Sequence, residues 1–377
     1  MCGFLYLYKK YVMNEEIFKD YICSKPFLTL DVQDNDRYLC CAAWLKKDLP
    51  KDVSPKEAWE SKEANLVRES ILDGSYKYCD SNTCPYLHTL KTKGHPVKSD
   101  TTDLMNTQTL YRKDSTLPAN VQKAIDDYKK GESIPETVYF SFDRTCNLKC
   151  PSCRAELFTA NSKKIKEVEA DIELIREQYS STLKRIYITG SGDPFVSVGF
   201  RNFLRNFKKS DWPKLQNIHL HTNATRWTKK MWDSMKEVQP YIGTCEISID
   251  AGTKDTYENK TRINGDWNEL IENLKFIATI PTLKFINTSF VVQQKNYKEM
   301  KIFYHLISEI FNNRAMIFFS RITDWGVWQK GEFAKQEIHN PNHPEHSEFL
   351  KYIREVLPAK NAWSNLHEFT LKTNKVI

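Results

Sequence analysis

The chain reads as an α/β protein: a partial (β/α)6 barrel preceded by a small cysteine-rich, metal-cluster domain. Three observations predict this. From residue 138 onward, short β-branched and aromatic runs alternate with longer amphipathic stretches, the pattern of βαβ units and a parallel sheet. Three cysteines follow the first of those runs at once. Of the ten cysteines, six fall before residue 85, and Cys245 stands alone.

Taken in order, the first strand is expected over 138–142 (Val-Tyr-Phe-Ser-Phe), with a charged amphipathic helix over 160–179. A second strand over 185–189 precedes a helix over 199–207. A third over 216–222 is followed by a helix over 227–238, and a fourth over 244–250 by a helix over 267–277. The fifth, 284–292, leads into a helix over 297–311, and the sixth spans 316–321. Six strands in βα alternation imply an incomplete TIM-like barrel, whose chemistry sits at the C-terminal strand ends. Ahead of it, residues 91–120 are polar and carry Gly94, Pro96 and the run Ser99-Asp-Thr-Thr-Asp103, the composition of a linker. A short helix over 121–130 leads out of it. The expected organisation is residues 1–95 as the cluster domain, 96–135 as linker, 136–325 as barrel, and 326–377 as a C-terminal tail with a helix over 346–356.

Composition removes several classes. An apolar content of 40% with 12% aromatics excludes global disorder. The net charge of +7 comes from interspersed charges rather than a basic arm, so nucleic acid is not an expected partner. No stretch approaches the ~20 apolar residues of a membrane span. The N-terminal apolar run lacks a basic flank and a cleavage site, so we expect no export signal. Ten cysteines without one point to a reducing, cytoplasmic setting, where thiolates serve metals rather than disulfides.

The chemistry concentrates at the strand ends. Cys146, Cys150 and Cys153 can converge on one side of a single loop. Three thiolates are too few for a closed structural zinc site. They suit a [4Fe–4S] cluster whose fourth iron is left for another ligand. After the second strand comes Thr189-Gly-Ser-Gly-Asp-Pro194, where glycines let backbone approach a ligand; alone it reads as a turn. The third strand ends in His221-Thr-Asn-Ala-Thr225 and the fourth in Glu246-Ile-Ser-Ile-Asp250. Alternation puts Glu246, Ser248 and Asp250 inside the barrel, and Cys245, Ile247 and Ile249 against the helices.

These motifs, in this order, resemble the radical S-adenosylmethionine (radical SAM) enzymes. The resemblance covers the CxxxCxxC loop and three further rim motifs, similar to that family's Gly-Gly-Glu, Thr-Asn-Gly and Ser-Ile-Asp. It implies a radical SAM barrel in which Cys146, Cys150 and Cys153 hold the cluster that chelates SAM. It also implies cofactor contacts from Gly190, Ser191, Gly192, Asp193, Asn223, Ser248 and Asp250. Asp193 stands where the family usually has Glu. A cation after the fourth strand, Lys260 or Arg262, would meet the SAM carboxylate, and Arg262 enters the site set.

The N-terminal residues Cys23, Cys40, Cys79 and Cys84, with Trp59 and Arg68 between them, resemble a SPASM or twitch auxiliary-cluster domain, here ahead of the barrel. By that resemblance the four close a second [4Fe–4S] cluster. A Cys₄ zinc site uses the same thiols, and the spacing does not separate the two. Cys40 matches the ligand position and Cys41 is the spare; Cys2 stands unassigned. His219 and His221 share a strand face, and His221 at the rim suits a ligand contact or a structural hydrogen bond. Trp325 and Trp328 follow the sixth strand, as a roof for the pocket or as packing for the tail helix.

The resemblance implies one-electron cleavage of SAM to a 5′-deoxyadenosyl radical that abstracts hydrogen from a substrate C–H bond, for oxidation, crosslinking or epimerisation. It implies an electron donor such as flavodoxin or ferredoxin. A carbohydrate and a ribosomal peptide both stand as substrates, and a non-catalytic zinc or Fe–S module is the alternative to an enzyme.

Overall fold

In a computed structural model the described residues are 15–96, 109–188, 192–357 and 359–366. They divide into two compact units. The first holds residues 15–30, 37–96 and 109–134; the second holds 31–36 and the chain from Pro135 onward.

In the first unit, Tyr21–Cys23 pairs antiparallel with Leu110–Arg112. Helices Pro55–Glu60 and Lys62–Leu72 are joined at Ser61, whose hydroxyl accepts from the Ala64 N–H. Ser54 and Glu57 form a reciprocal capping box at the start of the first. Helix Pro85–Lys93 ends at Gly94 in a left-handed conformation, and helix Ala119–Lys130 ends the same way at Gly131. Phe27, Trp59, Val67, Ile71, Leu90 and Val121 fill the core. Arg68 is buried among them, its guanidinium 4.2 Å above the Trp59 ring and donating to the carbonyls of Pro26 and Trp59.

The expected linker departs from the observed chain at both ends. Residues 97–108 lie outside the described residues. Before them, Lys91 is a buried helical residue that donates to Ser81 and Asn82. After them, Leu110–Arg112 is a strand and Ala119–Lys130 a helix of the first unit. Composition reads polarity and misses that a lysine's ammonium can be satisfied inside a turn.

The second unit is built on parallel strands: β1 (Thr137–Ser141), β2 (Arg185–Ile188), β3 (Asn217–Thr222), β4 (Ile242–Ser248), β5 (Phe285–Val292), β6 (Met316–Arg321) and β7 (Ala362–Ser364). They stand side by side in sequence order. Helices α1 (Ser162–Tyr179), α2 (Val198–Arg205), α3 (Lys229–Asp233), α4 (Trp267–Ala278) and α5 (Met300–Ile310) connect the first six, and α6 (His346–Val356) leads to the last.

From residue 138 onward the expectation of six strands is one short. β7 runs parallel to β6, with Phe318 opposite Trp363, so the chain past residue 326 contributes a barrel strand rather than a tail alone. The signal was weak because β7 is three residues long and shows no alternation. α3 is also shorter than expected: it stops at Ser234, and Pro240 lies in a separate 3₁₀ turn.

Register places the two faces. Tyr139, Tyr187, His219 and Thr244 are opposite one another across β1 to β4, and Glu246 is opposite Asn287. Parallel neighbours share a face, so this row lines the barrel interior. Ile188, Leu220, Cys245 and Ile286 form the alternate row, fully or almost fully buried under the helices. Burial pushes the Cys245 thiol well above its ordinary range, and it is an inert core residue.

Candidate active site

The loop after β1 is held from both sides. Asp143, fully buried, accepts from the Thr145 N–H (2.8 Å) and the Ser197 hydroxyl (2.5 Å), which fixes the loop's entry. Farther on, the Cys146 N–H donates to the Phe158 carbonyl and the Lys149 N–H to that of Ile263. The Cys153 and Arg154 N–H groups both donate to the Cys150 carbonyl, closing a tight turn. Cys150 is buried, Cys146 half-buried and Cys153 exposed.

All three thiols line one cavity of about 270 Å³ at the C-terminal ends of the strands. Gly192, Asp193, His221, Asn223, Ser248, Asp250 and Arg262 line it too. Gly190 and Ser191 lie outside the described residues, as does Cys2.

At Gly192 the need for glycine is steric. A Cβ there would sit 2.3 Å from the Asp143 carbonyl oxygen and 2.7 Å from that of Thr145. The second rim loop is pressed against the backbone of the cysteine loop, and the Asp193 N–H donates to the Thr145 carbonyl.

Asp193 looks inward. Its carboxylate accepts from the Thr222 hydroxyl, the Asn223 N–H and the Phe195 N–H, at 2.8 to 2.9 Å. Burial raises its pKa, and these three donors oppose the shift. The acid thus clasps the β2 and β3 loops together. Its neighbour Asn223 donates to Asn147 (3.0 Å) and lies 3.6 Å from the Cys146 sulfur.

After β4 the backbone turns sharply: Asp250 is left-handed, with φ 60°. Its carboxylate accepts from the Val291 N–H (2.7 Å) and pairs with Arg262 (2.7 Å). Arg262 is carried there by a π-helical turn, Tyr257–Thr261. Its Nη1 also reaches the Cys150 sulfur at 3.4 Å, while its buried Nε has no partner. Burial pushes the Cys150 thiol up to about 11, and the Arg262 charge opposes this. Arg154, on the turn itself, lies 3.7 Å from the Cys153 sulfur. Lys260 faces away, half-exposed, and pairs with Asp255 at 2.8 Å.

His221 lines the same cavity, with Nε2 2.9 Å from the Ser248 hydroxyl. Trp325, 60% exposed, lines the cavity mouth.

These residues fit a cluster with an open iron. Three thiols share one cavity, two guanidiniums lie against their sulfurs to favour thiolate, and a buried guanidinium N–H is left for an acceptor. Among the described residues, no three or more His, Cys, Asp or Glu stand close enough to hold one metal ion. A cubane asks for something else, since each thiolate binds an iron at its own corner.

In the first unit, Cys23 ends a strand, Cys40 precedes the Ala42–Trp44 turn, Cys79 bridges Leu45, and Cys84 starts helix Pro85–Lys93. Burial pushes Cys23 up to about 12, with Cys84 adding to the rise; Cys79 and Cys40 rise further, burial first and Cys23 among the causes. Burial thus favours the neutral thiol over the thiolate at each of these positions.

Residues 140–307 match the family model described as the Radical SAM superfamily, so this unit carries a Radical SAM superfamily domain. A domain of that family implies a [4Fe–4S] cluster and SAM. A stretch of 150 residues is 26% identical to the S-adenosylmethionine-dependent nucleotide dehydratase RSAD2 of Oncorhynchus mykiss, covering 39% of this chain and 41% of that protein. SuiB of Streptococcus suis bound to S-adenosylmethionine is similar over 65% of this chain and 55% of its own (15% identity, TM-score 0.41). SuiB bound to its precursor peptide SuiA is similar over 82% and 64% (14% identity, TM-score 0.44). The chain thus spans about two fifths of the curated relative it matches.

Proposed function

We propose that this chain is a radical SAM enzyme that cleaves SAM reductively and abstracts hydrogen from a substrate C–H bond. One observation carries the reading: Cys146, Cys150 and Cys153 share a single cavity with the Arg262–Asp250 pair and the ends of β2, β3 and β4. When bound, the cluster and SAM supply one-electron cleavage to a 5′-deoxyadenosyl radical. The chain's own residues bind and orient. Arg262 offers a cation for the SAM carboxylate, Gly192 with Gly190 and Ser191 offers close backbone approach, and Asn223, Ser248 and Asp250 offer polar contacts. Asp193, which ties the loops together and lines the same cavity, is also read as a cofactor contact.

Cys23, Cys40, Cys79 and Cys84 are read as ligands of a second, fully ligated [4Fe–4S] cluster that passes electrons after hydrogen abstraction. Four thiols of one unit, all buried or half-buried, support this, and Cys41 is read as the spare. A flavodoxin- or ferredoxin-like donor in a reducing cytoplasm completes the scheme. The net outcome is oxidation, crosslinking or epimerisation.

Anaerobic reconstitution with SAM and dithionite tests the reading. The expected result is 5′-deoxyadenosine above a Cys146→Ala control, and none above it overturns the enzyme assignment. Iron and sulfide counts test the second cluster: about eight irons per chain are expected, and about four with one zinc reject it.

A further inference from the structure

We infer that the inner wall of the barrel, beside the SAM cavity, is a subsite for a neutral, hydroxyl-bearing ring such as a sugar. The wall is built from Trp363, Phe318, Asn287, Glu246, His221 and Ser248. Barrel interiors of this type are ordinarily packed with layers of apolar branched side chains. This one carries an acid, an amide, an imidazole and a hydroxyl in a row.

The row is connected. Trp363 lies flat on Phe318, with ring centroids 3.9 Å apart and planes 14° from parallel. Its indole N–H reaches over to the Asn287 oxygen at 3.4 Å, and the Asn287 amide donates to Glu246 at 3.1 Å. The second Glu246 oxygen stands 3.7 Å from His221 Nε2, too far for a good hydrogen bond. His221 bonds Ser248 at 2.9 Å, and these two also line the SAM cavity. The wall therefore opens onto the place where hydrogen abstraction is proposed.

Two features point to the ligand class. Trp363 is 44% exposed, and the His221 and Glu246 side chains are 35% and 24% exposed, so these three remain accessible while Asn287 between them is buried. A flat indole beside an amide oxygen, with a carboxylate next along the row, suits a ring with an apolar face and hydroxyl edges, which both give and take hydrogen bonds. The carboxylate at its centre disfavours an anionic group there.

This subsite rests on the radical SAM reading for the fate of its ligand, but binding is measured separately. Saturation-transfer NMR on the reconstituted full chain uses methyl α-D-glucopyranoside, methyl β-D-galactopyranoside and tri-alanine as probes. The expected result is transfer to the ring protons of a glycoside. Trp363→Ala and Glu246→Gln each weaken it about 10-fold or more, while Trp363→Phe, which keeps the plate, stays within about 3-fold. Transfer to tri-alanine alone, to no probe, or to a glycoside equally in both weakening variants overturns the subsite. Glycoside binding without 5′-deoxyadenosine formation leaves the subsite standing and sinks the SAM reading; the converse does the reverse.

Discussion

Arg262 and Asp250 form an ion pair of 2.7 Å with almost no access to water, their side chains 11% and 2% exposed. The pair joins the strand end of β4 to the sulfur of Cys150. Removing one partner strands the other. Arg262→Gln is expected to cost about 3–5 kcal/mol, because Asp250 is left as an unpaired buried acid. Urea unfolding of the apoprotein measures it, and Arg262→Gln with Asp250→Asn should recover part of the loss. A cost below about 1 kcal/mol for the single variant refutes the pairing argument.

Gly192→Ala puts a methyl group against two carbonyl oxygens of the cysteine loop. Backbone has to shift, at an expected cost of about 1–3 kcal/mol. Because the displaced loop carries the three thiols, iron incorporation should fall with stability. Normal iron content and an unchanged melting temperature would contradict the close approach.

Asp193 accepts three hydrogen bonds and is 1% exposed. Asp193→Asn turns an amide N–H₂ toward at least one donor, at about 1–3 kcal/mol. Asp193→Glu adds a methylene and moves the carboxylate off its three donors. If Asp193 clasps loops rather than cofactor, the family-like glutamate lowers 5′-deoxyadenosine formation instead of raising it. An increase would show that the carboxylate reaches outward.

His219 is buried beside Thr244, and burial first, then His221, depresses its pKa to about 3. In the unfolded chain it protonates near the ordinary ~6.5. Between those values the unfolded state takes a proton that the folded state refuses. The His219 contribution is therefore fully present above about pH 6.5 and is lost as pH falls toward 3, at up to ~1.4 kcal/mol per pH unit. Unfolding free energies from pH 7.5 to 4.5 should fall less steeply in His219→Gln. Parallel curves would place the acid sensitivity elsewhere.

The six-strand pattern was legible because β-branched and aromatic runs mark it at each turn of the chain. The candidate site was legible because its motifs stand at strand ends in one order. What escaped was set by three-dimensional circumstance. Arg262 stands among the expected site residues, yet the π-helical turn that carries it into the cavity while Lys260 pairs with Asp255 is announced by no local propensity. Asp193 reads as a rim acid and lines the cavity, but the three hydrogen bonds that tie it to the β2 and β3 loops leave no mark in the sequence. Lys91 reads as solvated and is buried against Ser81 and Asn82. β7 is too short to show a period, and its Trp363 reads as an ordinary tail aromatic.

The pairing of β7 with β6 also sets an order in time. A ribosome adding ~5–20 residues per second makes the thiols of residues 146–153 many seconds before Arg262, and later still the strand at 362–364. Through that interval the nascent loop has its cysteines but neither the guanidinium that steadies Cys150 nor the last wall of the barrel. The sheet edge at β6 thus stays open until residues 362–364 have been made and can pair with it.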